Sequence, residues 1–120
     1  SDKTFLPLPT GNENYYHGFL NSIFTNCSAG FFREYHSNAE SGDGYADILF
    51  TDCEGEMAVV IELKVAEKRE QKKKADGAIA QIEDINYAES LFENENITSI
   101  HAVGIAFSGK TYAVSVKRLK

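Results

Sequence analysis

Tyr45-Ala46-Asp47-Ile48-Leu49-Phe50, Cys53-Glu54-Gly55-Glu56 and Val59-Val60-Ile61-Glu62-Leu63-Lys64 decide how this chain folds. Two apolar, β-branched runs separated by a polar turn with a glycine read as an antiparallel β-hairpin. With the turn centred between Glu54 and Gly55, Asp47 falls opposite Glu62 and Tyr45 opposite Lys64, and opposed residues share a face of the sheet. Alternation keeps Glu62 and Lys64 on that face while Ile61, Leu63 and Val65 point away. Two carboxylates and an ammonium therefore meet on one patch. A strand this apolar is expected to be buried on both faces, where directly opposed like charges destabilise a sheet unless something positive lies between them. A divalent cation supplies that charge. Oxygen ligands with bound waters suit Mg²⁺ or Mn²⁺, and a nearby lysine can position an attacking water or offset developing negative charge. The plainer alternative leaves Glu62 and Lys64 on a solvated strand face, with Asp47 making local hydrogen bonds at a strand start; the charges alone do not separate the two.

Upstream of the hairpin, Ser37 to Gly44 is a polar, glycine-rich loop, in which Glu40 could support the site or touch a substrate. Phe31 to His36 reads as a first strand. From Glu13 to Thr25, Tyr16, Phe19, Leu20, Ile23 and Phe24 recur at helical spacing, with Asn12 as N-cap and Glu13 in the first turn, where a carboxylate favours the helix dipole. His17 on this helix reads as packed or solvent-facing rather than as a ligand. Pro7, Pro9 and Gly11 break regular structure in residues 1–12, which read as a linker or tail docked by Phe5, Leu6 and Leu8.

Downstream lies the basic run Lys68-Arg69-Glu70-Gln71-Lys72-Lys73-Lys74, the local candidate for phosphate contact; without a ligand it is a solvated loop or first helical turn. Ala78, Ile79, Ile82, Ile85, Ala88, Leu91 and Phe92 predict a long helix over Ala75 to Phe92 with one buried face. Gln81 lies beside that stripe, and Tyr87 does not share its face. Ser99 to Phe107 is an apolar strand, and Thr111 to Val116 alternates like an edge strand. Gly104 to Thr111 spells the P-loop pattern G-x-x-x-x-G-K-[ST], but Ile105-Ala106-Phe107 belong to a strand and β sequence follows, so the helix whose N-terminus would receive a phosphate is missing.

A chain of 120 residues with 42% hydrophobic content suffices for one domain with its own core and is too short for two. No apolar run approaches the roughly 18 residues of a membrane span, and the start lacks a signal-like segment, so a cytoplasmic location is expected. The chain begins with Ser rather than Met, which suggests a processed or excised piece. Cys27 and Cys53 have no metal-type spacing and read as reduced, small hydrophobes, with a disulfide left open. The formal charge of -6 argues against nonspecific nucleic-acid binding by the whole surface, so any phosphate contact must be local.

Four blocks, Glu40 to Asp47, Ile61-Glu62-Leu63-Lys64, Ala80-Gln81-Ile82 and Gly104 to Lys110, resemble the PD-(D/E)XK nuclease superfamily, whose signature is an acidic residue on one strand and Glu-x-Lys on the next. More narrowly, from about Tyr15 onward the chain resembles the nuclease-like domain at the C-terminus of predicted AAA-ATPase proteins of bacteria. That family commonly has arginine where this chain has Tyr45 and often lysine where it has Ile85.

The element order of helix, three strands, helix and two strands calls for a central mixed sheet with helices on both faces. The resemblance implies the same architecture, an α/β fold of restriction-endonuclease-like type: an α/β/α sandwich with a mixed five-stranded sheet over residues 13–120. It implies a Mg²⁺-dependent phosphodiesterase, with Mn²⁺ as an alternative ion, acting on nucleic acid, DNA before RNA. Asp47 and Glu62, with the backbone carbonyl of Leu63, would bind the metal, and Glu13 is a lesser candidate ligand. Lys64 and Gln81 would serve catalysis, and Tyr45, Lys68 and Lys72 would contact substrate. An AAA-ATPase module would lie upstream in the full chain. The alternative is a non-enzymatic module that binds nucleic acid or a protein partner for that ATPase.

Overall fold

The computed structural model describes residues 12–27, 30–37, 46–84 and 89–120. Tyr45 and Glu40, the linker residues 1–11, and Ile85, Tyr87 and Ala88 lie outside the described residues. In chain order the elements are α1 (Glu13–Thr25), β1 (Phe32–Ser37), β2 (Ile48–Asp52), β3 (Met57–Val65), a 3-10 turn (Lys68–Glu70), α2 (Gln71–Asp84), α3 (Glu89–Glu93), β4 (Ser99–Ser108) and β5 (Thr111–Arg118).

The five strands form one sheet in the order β1-β2-β3-β4-β5. β2 and β3 pair antiparallel with Ile48 opposite Ile61 and Phe50 opposite Val59, the register expected from the turn, and Gly55 closes that turn at φ +72°. β3 and β4 are parallel. A parallel pair cannot be joined by a tight turn, so the chain must cross over, and α2 is that crossover. β4 and β5 close antiparallel through Gly109 at φ +58°.

Alternation along the strands sorts the core into two layers. On one face, Tyr16 of α1 packs with Ile48, Ile61, Leu63 and Phe107, its ring stacked on Phe107 at 4.3 Å. On the other, Ile79 and Ile82 of α2 pack with Ala58, Val60, Ile100 and Ala102. The architecture is therefore an α/β/α sandwich around a mixed five-stranded sheet. Gly104 lets α2 lie close on β4: a Cβ there would fall 2.2 Å from the Ala75 carbonyl oxygen. The P-loop-like string is thus a strand and a hairpin turn, with β5 after it.

Three local expectations are corrected. β1 starts at Phe32 rather than Phe31, because Gly30 at φ +86° turns the chain and leaves Phe31 exposed. α2 starts at Gln71 rather than Ala75. Lysine and glutamine are good helix formers, so the helix runs back through Lys72 to Lys74 ahead of any apolar stripe. Glu89–Glu93 is helical as well, and the four residues between it and Asp84 lie outside the described residues. Cys27 and Cys53 are free, as expected, but exposed rather than packed as small hydrophobes.

Candidate active site

Asp47 immediately precedes β2, and extending the Ile48–Ile61 pairing by one residue puts it across from Glu62. The chain bends at Asp47: Ala46 joins the α2-side core although Ile48 faces α1. Because of the bend, a side chain takes over from the backbone ladder, and Leu63 N–H donates to Asp47 Oδ2 at 2.7 Å. The two backbone polar groups of a strand residue face the same neighbour, so the Leu63 carbonyl points to the edge where Asp47 lies.

Glu62 is 6% exposed. Gln81, on α2, donates from Nε2 to Glu62 Oε2 at 2.7 Å and accepts from Lys64 Nζ at 2.5 Å on Oε1. One amide thereby spaces the acid from the ammonium. The other Glu62 oxygen, Oε1, is buried and has no hydrogen-bond partner among the described residues. Burial, with the Asp47 carboxylate next in weight, pushes the Glu62 carboxyl up to about 7, against the pull of Lys64. Burial also raises Asp47, opposed by the Leu63 amide and then by His17 and Lys64.

A buried carboxylate oxygen without a partner among the described residues, across the sheet from a second carboxylate, is an arrangement that a hard cation would relieve. The donor set fits one: Asp47, Glu62 and the Leu63 carbonyl are all oxygen donors. Among the described residues no three His, Cys, Asp or Glu side chains cluster closely enough to hold an ion. Waters would complete the coordination, as is usual for Mg²⁺. Glu13 is exposed in the first turn of α1; its charge reaches Glu62 but is the weakest of the influences on it.

His17, read from the sequence as packed or solvent-facing rather than as a ligand, is buried at 6% exposure. Its Nε2 lies 2.9 Å from both the Asp47 carbonyl oxygen and Ser37 Oγ. A carbonyl oxygen can only accept, so this nitrogen carries the hydrogen. α1 thus grips the Asp47 backbone and ties it to the end of β1.

A cleft of about 370 Å³ opens beside Lys64 and Gln81 and is lined further by Glu70, Lys73, Lys74 and Gly77. Lys72 turns elsewhere, to Asp76 at 3.2 Å and Ser115 Oγ at 2.9 Å. Lys68 is exposed in the 3-10 turn and does not line the cleft. The structure thus gathers Asp47, Glu62, Leu63, Lys64 and Gln81, keeps Glu13 nearby, and leaves Lys68 and Lys72 outside. Lys73 and Lys74 belong to the same charge run, but which lysines face the cleft depends on where α2 begins.

Among the described residues no helix is long and apolar enough to cross a membrane. Comparison with curated proteins and with solved structures returned no match. A family model described as the PD-(D/E)XK nuclease superfamily matches residues 11–117.

Proposed function

Because the chain belongs to the PD-(D/E)XK nuclease superfamily, we propose that it is a metal-dependent nuclease that hydrolyses phosphodiester bonds of nucleic acid, with DNA as the substrate and Mg²⁺ as the ion. The observation that carries this reading is the Oε1 of Glu62, buried and without a hydrogen-bond partner among the described residues, in a carboxylate held by Gln81 and set across from Asp47. Asp47, Glu62 and the Leu63 carbonyl would hold the ion, which would supply Lewis-acid polarisation of a phosphate oxygen and a more acidic water. Lys64 keeps an ammonium at the mouth of the same pocket, where it orients the attacking water and offsets charge on the phosphate oxygens. Gln81 fixes that ammonium and the Glu62 carboxylate at once.

In the full protein the domain serves an attached AAA-ATPase module in the cytoplasm. The formal charge of -6, which disfavours nucleic-acid binding by the whole surface, supports a second reading, a nuclease-derived module that cleaves nothing and binds nucleic acid locally or a protein partner for that ATPase. Digestion of plasmid and oligonucleotides with Mg²⁺, with Mn²⁺ and with chelator separates the two. Cleavage that needs the ion and is lost in Glu62→Ala is expected. Cleavage that survives Glu62→Ala removes this site from the chemistry, and no cleavage with the upstream module restored leaves the binding module.

A further inference from the structure

Lys73, Lys74, Gly77 and Gln81 of α2 lie three, four, seven and eleven residues beyond Glu70, the last residue of the 3-10 turn that leads into the helix. That spacing makes one face of a helix, and all five line the cleft with Lys64. The strip runs straight to the side chain that holds Glu62 and Lys64. At 1.5 Å per residue, Lys74 to Gln81 covers roughly 10 Å.

Two features of the strip have no explanation in folding. Gly77 stands in the middle of α2, where glycine is worse than alanine. A Cβ there would meet nothing within 4 Å, so neither packing nor backbone conformation calls for its absence. Lys73 and Lys74 form no salt bridge among the described residues, whereas Lys72, next to them, is spent on Asp76 and Ser115. Two ammonium groups with no salt bridge among the described residues therefore stand one turn before a stretch of bare helix backbone that leads to Gln81, the partner of Glu62 and Lys64.

We infer that this strip is a substrate track: the nucleic-acid strand flanking the scissile bond crosses α2 over Gly77, with its backbone phosphates held by Lys73 and Lys74. The inference rests on the nuclease reading for what enters the pocket. Glu70 marks the outer limit of the track, because its carboxylate repels the next phosphate. Contacts of this kind go to phosphates rather than bases, so binding along the track is indifferent to sequence.

Labelled single-stranded and duplex oligonucleotides titrated onto the cleavage-silent Glu62→Gln protein, at several salt concentrations, test it. Lys73→Ala and Lys74→Ala should each weaken binding about tenfold at low salt and flatten the slope of log K against log salt by about 0.7 to 0.9. Glu70→Gln should tighten binding. In the otherwise native protein, Gly77→Leu should raise KM for oligonucleotide cleavage at least tenfold while the melting temperature holds or rises. Unchanged affinity and salt slope in both lysine variants, or no oligonucleotide binding at all, overturns the track. Lysine-dependent binding in a protein that never cleaves keeps the track and sinks the nuclease reading. Cleavage indifferent to both lysines does the reverse.

Discussion

Asp47 Oδ2 accepts the Leu63 amide hydrogen at 2.7 Å, so a side chain stands where the backbone of β2 would otherwise have continued the ladder. The same carboxylate thus serves the sheet and the proposed ion, and two substitutions separate the roles. Asp47→Asn keeps an acceptor for Leu63 and should melt near the native temperature. It should nonetheless lose well over the roughly 10–100-fold that loss of an outer partner of a metal site costs. Asp47→Ala should lose the same activity and also destabilise by about 1–3 kcal/mol, because a buried amide is left unpaired. Urea midpoints and Mg²⁺-dependent cleavage of the two variants check this.

The raised Glu62 carboxyl links stability to pH. Between the ordinary glutamate range and about pH 7 the folded protein holds a proton on Glu62 that the unfolded chain has released. The native state binds more protons there, so the contribution of Glu62 to stability falls as pH rises through the window and levels off above about 7. The loss amounts to roughly 3 kcal/mol at most. Metal-free Glu62→Gln should lack it and should be more stable than the native protein at pH 8. Added Mg²⁺ should stabilise the native protein at pH 8 far more than at pH 5. Asp47 titrates in the same direction, and Asp52 and Asp76 in the opposite one, so the informative quantity is the difference between native and Glu62→Gln curves. Parallel curves would mean that Glu62 ionises normally in the fold.

Gln81 joins Glu62 to Lys64 through its amide. Gln81→Ala leaves both uncoupled and should lower kcat by about 10–100-fold with KM little changed. Gln81→Glu replaces a donor to Glu62 with a third carboxylate and should be worse. Equal kcat in the native and Gln81→Ala proteins would show that the amide is incidental.

Gly104 lies under α2, where a Cβ would fall 2.2 Å from the Ala75 carbonyl oxygen and 2.9 Å from the Ala78 Cβ. Backbone cannot yield cheaply, so Gly104→Ala should destabilise by about 1–3 kcal/mol, a fall in Tm of at least about 4 °C. Lys110→Ala, in the same P-loop-like string, should change neither Tm nor activity, and calorimetry should detect no ATP binding. A Tm for Gly104→Ala at or above the native value would contradict the close helix–sheet contact.

Much of the site was legible because strand geometry is local. The turn at Gly55 and the alternation of β3 were enough to put Asp47, Glu62 and Lys64 on one face. The lysines that line the cleft were not legible in the same way. Lys72 and Lys73 are neighbours in one charge run, yet one turns to Ser115 and the other lines the cleft, and a helix shifts direction by 100° per residue. Without the start of α2, no count along the run tells them apart. His17 carried no signal, since a lone histidine on an amphipathic helix looks the same whether or not it grips a backbone carbonyl.

The sequence by itself determined the register of the central hairpin, the crossover helix and the two faces of the sheet, because apolar periods of two and of about 3.6 residues leave few other ways to bury these side chains. Only the tertiary structure decided which groups complete the pocket. The rotation of α2 against β3 and β4, set by close contact over Gly104, brings Gln81 between Glu62 and Lys64. The docking of α1 sets His17 beneath Asp47. Both depend on how one packed layer is turned against another, and that angle is written in distant contacts rather than in any local spacing.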